Sequence, residues 1–440
     1  MTTDVTSRYA AQFEDFAANG GAAAPPWLRE LRAAALARFT GSGFPTTRQE
    51  DWRFTSVEAI AEAPFELAHG ADKLLTARDI HSHELCEAHR HLLVFVNGVY
   101  APSLSSVAGL PDGVRIGSLA AAMKSESRIP EWLAKHAWMH NPFTALNTAF
   151  VRDGGFVYVP AGVEIAEPVQ LLYLSVPGRT PVVSHPRTLV VVERQGRVSV
   201  VETFAGIGDG VYWTNAVAEI VVGDGGRADL YRVQREGSQA FHTAATHSHQ
   251  GRDATVHVHP FVLGAVLSRH DIGVVLNGTN GLAVLNGLYL LDQHQHADHH
   301  TTIDHAQPHC ESHEYFNGVL DGRSRGVFNG RIVVRPGAQR TDSKQTNNNL
   351  VLSETARADS QPQLEIYADD VKCTHGATLG PLDEKAMFYL TSRGIPRAEA
   401  RSLLTYGFGA EIIDRMEIAP LQAQLDRLIR RRLLGAGAGM

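Results

Sequence analysis

Cysteine is scarce. The 440-residue chain has three, Cys86, Cys310 and Cys373, an odd number with no C-x-x-C pair. That excludes a disulfide framework and a four-cysteine zinc site within one chain. A reducing, cytoplasmic compartment is the expected home. Long apolar runs are also missing. Those at 92–96 and 169–176 fall far short of the roughly 18 residues that a membrane span needs. The opening Met1-Thr-Thr-Asp-Val has neither a basic start nor an apolar stretch, so no secretory signal is expected. There is no basic surplus. Forty Lys and Arg against 47 Asp and Glu give a net charge of −7, which argues against broad nucleic-acid binding. No G-x-x-x-x-G-K-[ST], H-E-x-x-H or G-x-S-x-G occurs, so the chain should not itself hydrolyse ATP, and neither zinc-protease nor serine-hydrolase motifs are in place. Gly206-Ile-Gly208-Asp-Gly210 lacks the spacing of a dinucleotide fingerprint.

What is present falls into three textures. Pro25 and Pro26 stand before Trp27, Leu28, Leu31, Leu36 and Phe39, a spacing near the 3.6-residue helical period, and Gly41, Gly43 and Pro45 close the segment. A polar, aromatic stretch follows, Arg48-Gln-Glu-Asp-Trp-Arg-Phe-Thr55. From about residue 92 to 380, short runs rich in Val, Ile, Leu, Phe and Tyr recur, among them 156–159, 188–192, 198–204, 216–222, 256–262, 282–291 and 327–334. With almost no helical periodicity between them, they predict an all-β region. Asn-Gly or Asp-Gly punctuates it at Asn97, Asp153, Asp209, Asp224, Asn277, Asn286, Asn317, Asp321 and Asn329. Such pairs favour antiparallel hairpins, yet stacked rungs of a parallel β-helix also use small residues at corners. No strict period separates the two, so the pattern leaves both open. Helices return after Asp383. Gly394 can end one and Pro396 open the next, and Ala400, Leu403, Leu404, Phe408, Ile412, Ile413 and Met416 form one apolar stripe. Leu421, Leu425, Leu428, Ile429 and Leu433 form another, beside Arg427, Arg430, Arg431 and Arg432. Such stripes usually pack on the protein's own core. The expected organisation is a helical region over 1–90, a β core over 91–380 and a helical region over 381–440.

Histidine is the abundant oddity: 13 of 22 lie between His242 and His313. On a strand, His294, His296, Asp298 and His300 would share one face, a donor set suited to zinc, iron or manganese. The bland alternative is a hydrogen-bonded ladder between strands. His242, His247, His249, His257 and His259 alternate in the same way. Lys372-Cys373-Thr374-His375 is sharper. On a strand Cys373 and His375 point the same way, with Asp369 on that face, and thiolate plus imidazole suits soft or borderline metals including iron–sulfur clusters. Two ligands make half a site, and a buried cysteine beside a surface histidine is the plain alternative.

At Asp369-Asp-Val-Lys-Cys-Thr-His-Gly-Ala-Thr378 the chain resembles the SufB/SufD family of iron–sulfur cluster assembly proteins. Met387-Phe-Tyr-Leu-Thr-Ser-Arg-Gly-Ile395 is similar to the family's hallmark at the start of its C-terminal helices. So are His305-x-x-Pro308-x-Cys310-x-Ser312, Phe328-x-Gly330, Thr341-Asp-Ser-Lys-Gln-Thr346, Tyr406-Gly-Phe408 and Asp51-Trp-Arg-Phe-Thr55, so the likeness spans nearly the whole chain. Cys-x-His-Gly-Ala-Thr looks like the SufD branch. SufB-type chains typically read His-Glu-Ala-Thr near this point, where this chain has Gly376.

The resemblance implies a mainly β fold, with a right-handed parallel β-helix core flanked by N-terminal and C-terminal helical regions. It implies a scaffold subunit without catalytic activity of its own. Such a subunit pairs with SufB through the β-helix and docks the ATPase SufC through its C-terminal helices, with sulfur from a SufS/SufE-type system. It places His375, with Cys373 as companion, at the SufB–SufD interface, where iron or a transient cluster would be shared with SufB and nothing held tightly by the chain alone. It assigns no firm role to His294, His296, Asp298 and His300. A homodimer through the same β-helix edge is a further expectation for the isolated chain, because an exposed edge invites pairing. A function from another class, a stand-alone metal-dependent β-helix or β-barrel enzyme using the 294–305 histidines, would instead retain stoichiometric metal when purified alone.

Overall fold

The computed structural model describes residues 2–18, 24–71, 73, 75–85 and 91–434; Cys86 lies outside them. Successive strands alternate between two sheets, and within each sheet a strand lies beside the one two elements away. One sheet runs Gly155–Val159, Arg187–Val192, Tyr212–Val222, Phe241–Gln250, Leu267–Leu276, His296–His305, Arg325–Val334 and Arg357–Ile366. The other runs His91–Val96, Val169–Ser175, Arg197–Gly206, Arg227–Arg235, Thr255–Val262, Leu282–Leu291, Glu311–Leu320, Asp342–Val351 and Lys372–Gly380. All these neighbours pair in parallel, which defines a parallel β-helix of two sheets. From Phe241 onward, partners on the first sheet lie between 26 residues (Phe241↔Leu267) and 32 residues (Arg325↔Arg357) apart. That variation is why no strict period is visible in the sequence.

The sequence left antiparallel and stacked architectures open, and the structure decides for stacked rungs. Asn97-Gly98 does make a hairpin, joining Val96 to Val99 with φ of 51° and 76° as a two-residue primed turn requires. Asp224-Gly225 and Asp321-Gly322 sit at corners. Asn286-Gly287, Asn317-Gly318 and Asn329-Gly330 lie inside strands, not at the corners that stacked rungs suggested. There the glycines make room for interior side chains. A Cβ on Gly287 would stand 2.2 Å from the Phe316 ring, and one on Gly318 would stand 2.1 Å from the Tyr289 ring.

The interior begins apolar, with Val200, Ile220, Leu230 and Val258 among its stacked side chains. It also holds polar side chains on successive rungs. Glu202, Arg232, His270, His299, Glu314, Gln345 and Asn347 are all buried and face the axis. They are mutually bonded in several places: Arg232 donates to Glu202 at 2.7 Å and Thr246 contacts His270 at 2.9 Å. Buried polar groups persist only with such partners.

Helices cover the outer faces. The helix Pro26–Ser42 opens with a proline in its first turn and stops at Gly43, whose φ is 66°. Its Phe39, with Tyr9 of Thr2–Phe16 and with Trp52 and Phe65, packs on Trp213 and Leu267 of the first sheet. Leu119–Ser125, Ile129–Trp132 and Pro142–Ala149 are helices inside a stretch expected to be β. Every residue of Pro142–Ala149 except its proline is buried, so this short helix carries no amphipathic stripe to betray it. At the other end, Arg397–Ile413 and Ala419–Leu434 bury Ile412, Ile413, Leu421, Leu425 and Ile429 on Tyr231, Phe261, Leu288 and Val319 of the second sheet. The two apolar stripes therefore pack on the protein's own core. No helix among the described residues is long and apolar enough to cross a membrane.

Candidate functional site

The two ends of the solenoid differ. At the N-terminal end, Arg115–Ser118 pairs antiparallel with Gly155–Val159, and Val99–Tyr100 and Ser106–Val107 pair antiparallel with His91–Val96. At the C-terminal end, Arg357–Ile366 and Lys372–Gly380 each pair on one side only. Their outer edges present unpaired backbone N–H and C=O groups, a template for a further strand. Beside them stand exposed apolar side chains, Leu379 at 62% and Phe388 at 74% exposure, with Tyr367 and Tyr389.

Cys373 and His375 are both on Lys372–Gly380, two residues apart and so on one face. Register identifies that face. Ser343 stands opposite Cys373 and Gln345 opposite His375, and Ser343 and Gln345 are buried inside the solenoid. The pair therefore faces the axis at the open last rung. Cys373 is half-buried against Ile332, Val334 and Ala368. Burial pushes its thiol pKa up, and the charge of Asp342 adds to this. His375 is exposed. Asp369, expected on the same strand face, lies in the bend before the strand, so alternation does not carry it to the pair. Next to His375 in the column, Gln345 Nε2 donates to Glu314 at 2.5 Å. Burial raises the Glu314 carboxyl to about 7, against the bonds from Thr301 and Gln345. The 341–346 motif contains Gln345 without placing it, and no local motif marks Glu314. The one available signal was a polar residue at alternate positions of an unrecognised strand.

The 294–305 segment is a strand from His296, and His296, Asp298 and His300 do share its outer face. His294 does not join them: it is exposed in the preceding turn. Asp298 Oδ2 accepts from Thr55 Oγ1 at 2.5 Å and from Arg269 Nη1 at 2.7 Å, and His300 Nε2 lies 3.1 Å from its other oxygen. Burial alone would raise the Asp298 carboxyl, but His300 and Arg269 outweigh it and hold it well below the usual range. His296 Nε2 meets Thr55 Oγ1 at 2.9 Å. The Arg269 guanidinium lies over Trp52 at 3.6 Å and donates to the Asp51 carbonyl at 2.7 Å. These groups hold the Asp51–Thr55 stretch against the sheet. The other histidines are dispersed. His242 faces the axis beside Glu236, His247 lies under Trp138, His249 stacks on His136, and His259 stacks on Tyr231. His257 lies beside Asp229. Among the described residues no cluster of three His, Cys, Asp or Glu could hold a metal ion.

The fold is a parallel β-helix with helices on both faces, closed by antiparallel strands at one end and open at the other. Comparison with known proteins gives the family. Residues 175–408 match the SUF system FeS cluster assembly SufBD core domain, and residues 3–171 match the SufBD protein N-terminal region. The chain belongs to the SufBD family of iron–sulfur cluster assembly proteins. It is 33% identical to an iron–sulfur cluster assembly SufBD family protein of Synechocystis, covering 89% of this chain and 88% of that one. It is 30% identical to the iron–sulfur cluster assembly protein SufD of Escherichia coli over 91% and 92% of the two chains. The SufD of Bacillus subtilis is 27% identical over 93% and 94%.

Proposed function

We propose that the chain is the SufD-type scaffold subunit of a SufB–SufC–SufD complex and contributes half of a site on which iron and sulfide assemble. The observation that carries this reading is the open last rung, where a one-sided strand presents Cys373 and His375 on its axis-facing side. A SufB chain adding its strands there would supply the missing ligands, with His375 binding iron through neutral imidazole and Cys373 beside it. Iron and sulfide are cargo in this scheme, and the isolated chain holds none tightly. SufC would supply ATP hydrolysis and dock near the C-terminal helices, where Phe388 and Tyr389 of Glu384–Thr391 leave an apolar patch uncovered. Sulfur would come from a SufS/SufE-type donor, in the cytoplasm. The same open edge would pair two copies of the chain when no SufB is present.

The test is anaerobic co-purification with the matching SufB and SufC, wild type against His375→Ala, with iron and acid-labile sulfide assayed on the complex. Complex formation in both, with iron and sulfide only in the wild type, is the expected result. Equal iron and sulfide in both would remove His375 from the site.

A further inference from the structure

A cavity lies far along the chain from the open rung. It has a volume of about 600 Å³ and opens between the N-terminal helices and the start of the solenoid, with Phe16, Arg32, Phe150 and His185 in its wall. Two of these groups are buried polar side chains with unmet capacity. Arg32 is only 6% exposed. Its Nε and Nη2 both donate to the Val151 carbonyl, at 3.0 and 2.6 Å, which leaves Nη1 without a hydrogen-bond partner. Its cation lies 4.9 Å from the Phe16 ring centre. Among the described residues no carboxylate forms an ion pair with it. Burial lowers its pKa to about 10, so it stays charged at neutral pH. A buried cation without a counter-ion is costly unless something anionic comes to it.

His185 is the second group, 7% exposed and stacked on Phe150 at 5.3 Å with 15° between the rings. Its tautomer follows from its neighbour. Asn215 Nδ2 donates to the Phe143 carbonyl at 2.9 Å, while Asn215 Oδ1 accepts from Thr243 at 3.0 Å, so the amide orientation is settled. The same Nδ2 meets His185 Nδ1 at 3.1 Å, so Nδ1 accepts and the proton sits on Nε2. That Nε2–H has no partner. Burial lowers the His185 pKa to about 3, so the ring is a neutral donor throughout the physiological range. Gln12 adds an acceptor: its Nε2 is spent on the Phe65 carbonyl at 2.7 Å, and its buried Oε1 has no partner. Asp15 and Glu66 are also in the wall and disfavour a polyanion.

We propose that this cavity binds a small organic anion, with one phosphomonoester or carboxylate group held by Arg32 and His185 and a flat apolar body against Phe16 and Phe150. The phosphate or carboxylate supplies the charge that Arg32 lacks and accepts from both free donors. The aromatic walls favour a ring over a bare ion. Such a site is small, partly apolar and carries a few convergent polar groups, as ligand sites do.

The test uses the full chain and calorimetric titration with phenyl phosphate, inorganic phosphate and phenol. Phenyl phosphate is expected to bind at least tenfold more tightly than either of the other two. Arg32→Gln should weaken it at least tenfold, and His185→Phe, which keeps the stack on Phe150, at least threefold. Arg32→Gln also removes support from Val151, so each variant's thermal unfolding is measured first, and His185→Phe carries the test if Arg32→Gln does not fold. Phenyl phosphate binding no better than phenol, or binding unchanged in His185→Phe, would overturn the anion site. Inorganic phosphate binding as tightly as phenyl phosphate would overturn the aromatic part of the ligand class.

Discussion

His375 stands directly opposite Gln345 across the last ladder, and Gln345 is bonded in turn to Glu314 one rung deeper. The exposed imidazole of the final strand is thus the outermost member of a polar column that is otherwise buried. Its surroundings are set by the interior of the β-helix rather than by its sequence neighbours.

Glu314 makes the first prediction. Its folded pKa, about 7, is above the ordinary carboxylate value of 4.5, so the native state holds the proton more tightly than the unfolded chain. The associated stability is complete below pH 4.5 and is lost as pH rises through 7. Glu314→Gln mimics the protonated acid. It should leave stability unchanged at pH 4.5 and raise it by up to about 3 kcal/mol at pH 8. Urea unfolding at the two pH values measures this, and equal effects at both would refute it.

Buried histidines should act in the opposite direction. Burial lowers the pKa of His185, His247 and His259 to about 3, and that of His299 and His305 to about 4. The unfolded chain binds these protons first. The stability from neutral burial is therefore complete above pH 6.5 and falls as pH drops from 6.5 toward 4, by about 1.4 kcal/mol per unit of pKa difference for each ring. Unfolding midpoints in urea should decline steeply between pH 6.5 and 5. A flat profile over that range would contradict the buried, neutral assignment.

Asp298 is expected to be structural in the isolated chain. Asp298→Ala removes one of two carboxylates from the buried Arg269 and the acceptor of Thr55. A loss of about 3 kcal/mol should follow, at the low end for a broken buried pair because Asp271 remains. The Trp52 fluorescence should shift, because Arg269 lies on its ring. An unchanged melting temperature and unchanged emission would show that the clamp is not formed.

The interior glycines should tolerate nothing larger. A methyl group at Gly318 would overlap the Tyr289 ring and come within 2.6 Å of Asn349. Tyr289 also donates to Asn349 at 2.5 Å, so it cannot swing away freely. Gly318→Ala should cost about 2 kcal/mol or more. Gly376→Ala, where nothing lies within 4 Å, is the control and should be close to neutral.

Much of this was readable without coordinates. Apolar strands such as Leu282–Leu291, the helix after Pro25, and the break at Gly394 and Pro396 follow from local spacing and backbone chemistry. The i, i+2 relation of Cys373 and His375 needed only the strand. Strands such as Arg227–Arg235, Glu311–Leu320 and Asp342–Val351 were missed, because their axis-facing positions carry Arg232, Glu314, Gln345 and Asn347 where a strand pattern expects apolar residues. Those groups are tolerable inside only because neighbouring rungs satisfy them, and the neighbours lie 26 to 32 residues away at an uneven spacing. The alternation at 294–300 was visible, but its partners Thr55 and Arg269 belong to distant segments.

The sequence by itself therefore determined the helix after Pro25, the apolar strands of the β region, the C-terminal helices, and the pairing of Cys373 with His375 on one strand face. All of these depend on residues within a few positions of one another. Only the tertiary structure decided that the sheets are parallel and that the last rung is open. It also decided that His375 lies in line with Gln345 and Glu314, and that Arg32 and His185 share a cavity. Each of those depends on which distant strand or helix comes to lie alongside, and that is set by burial and hydrogen bonding summed over the whole solenoid.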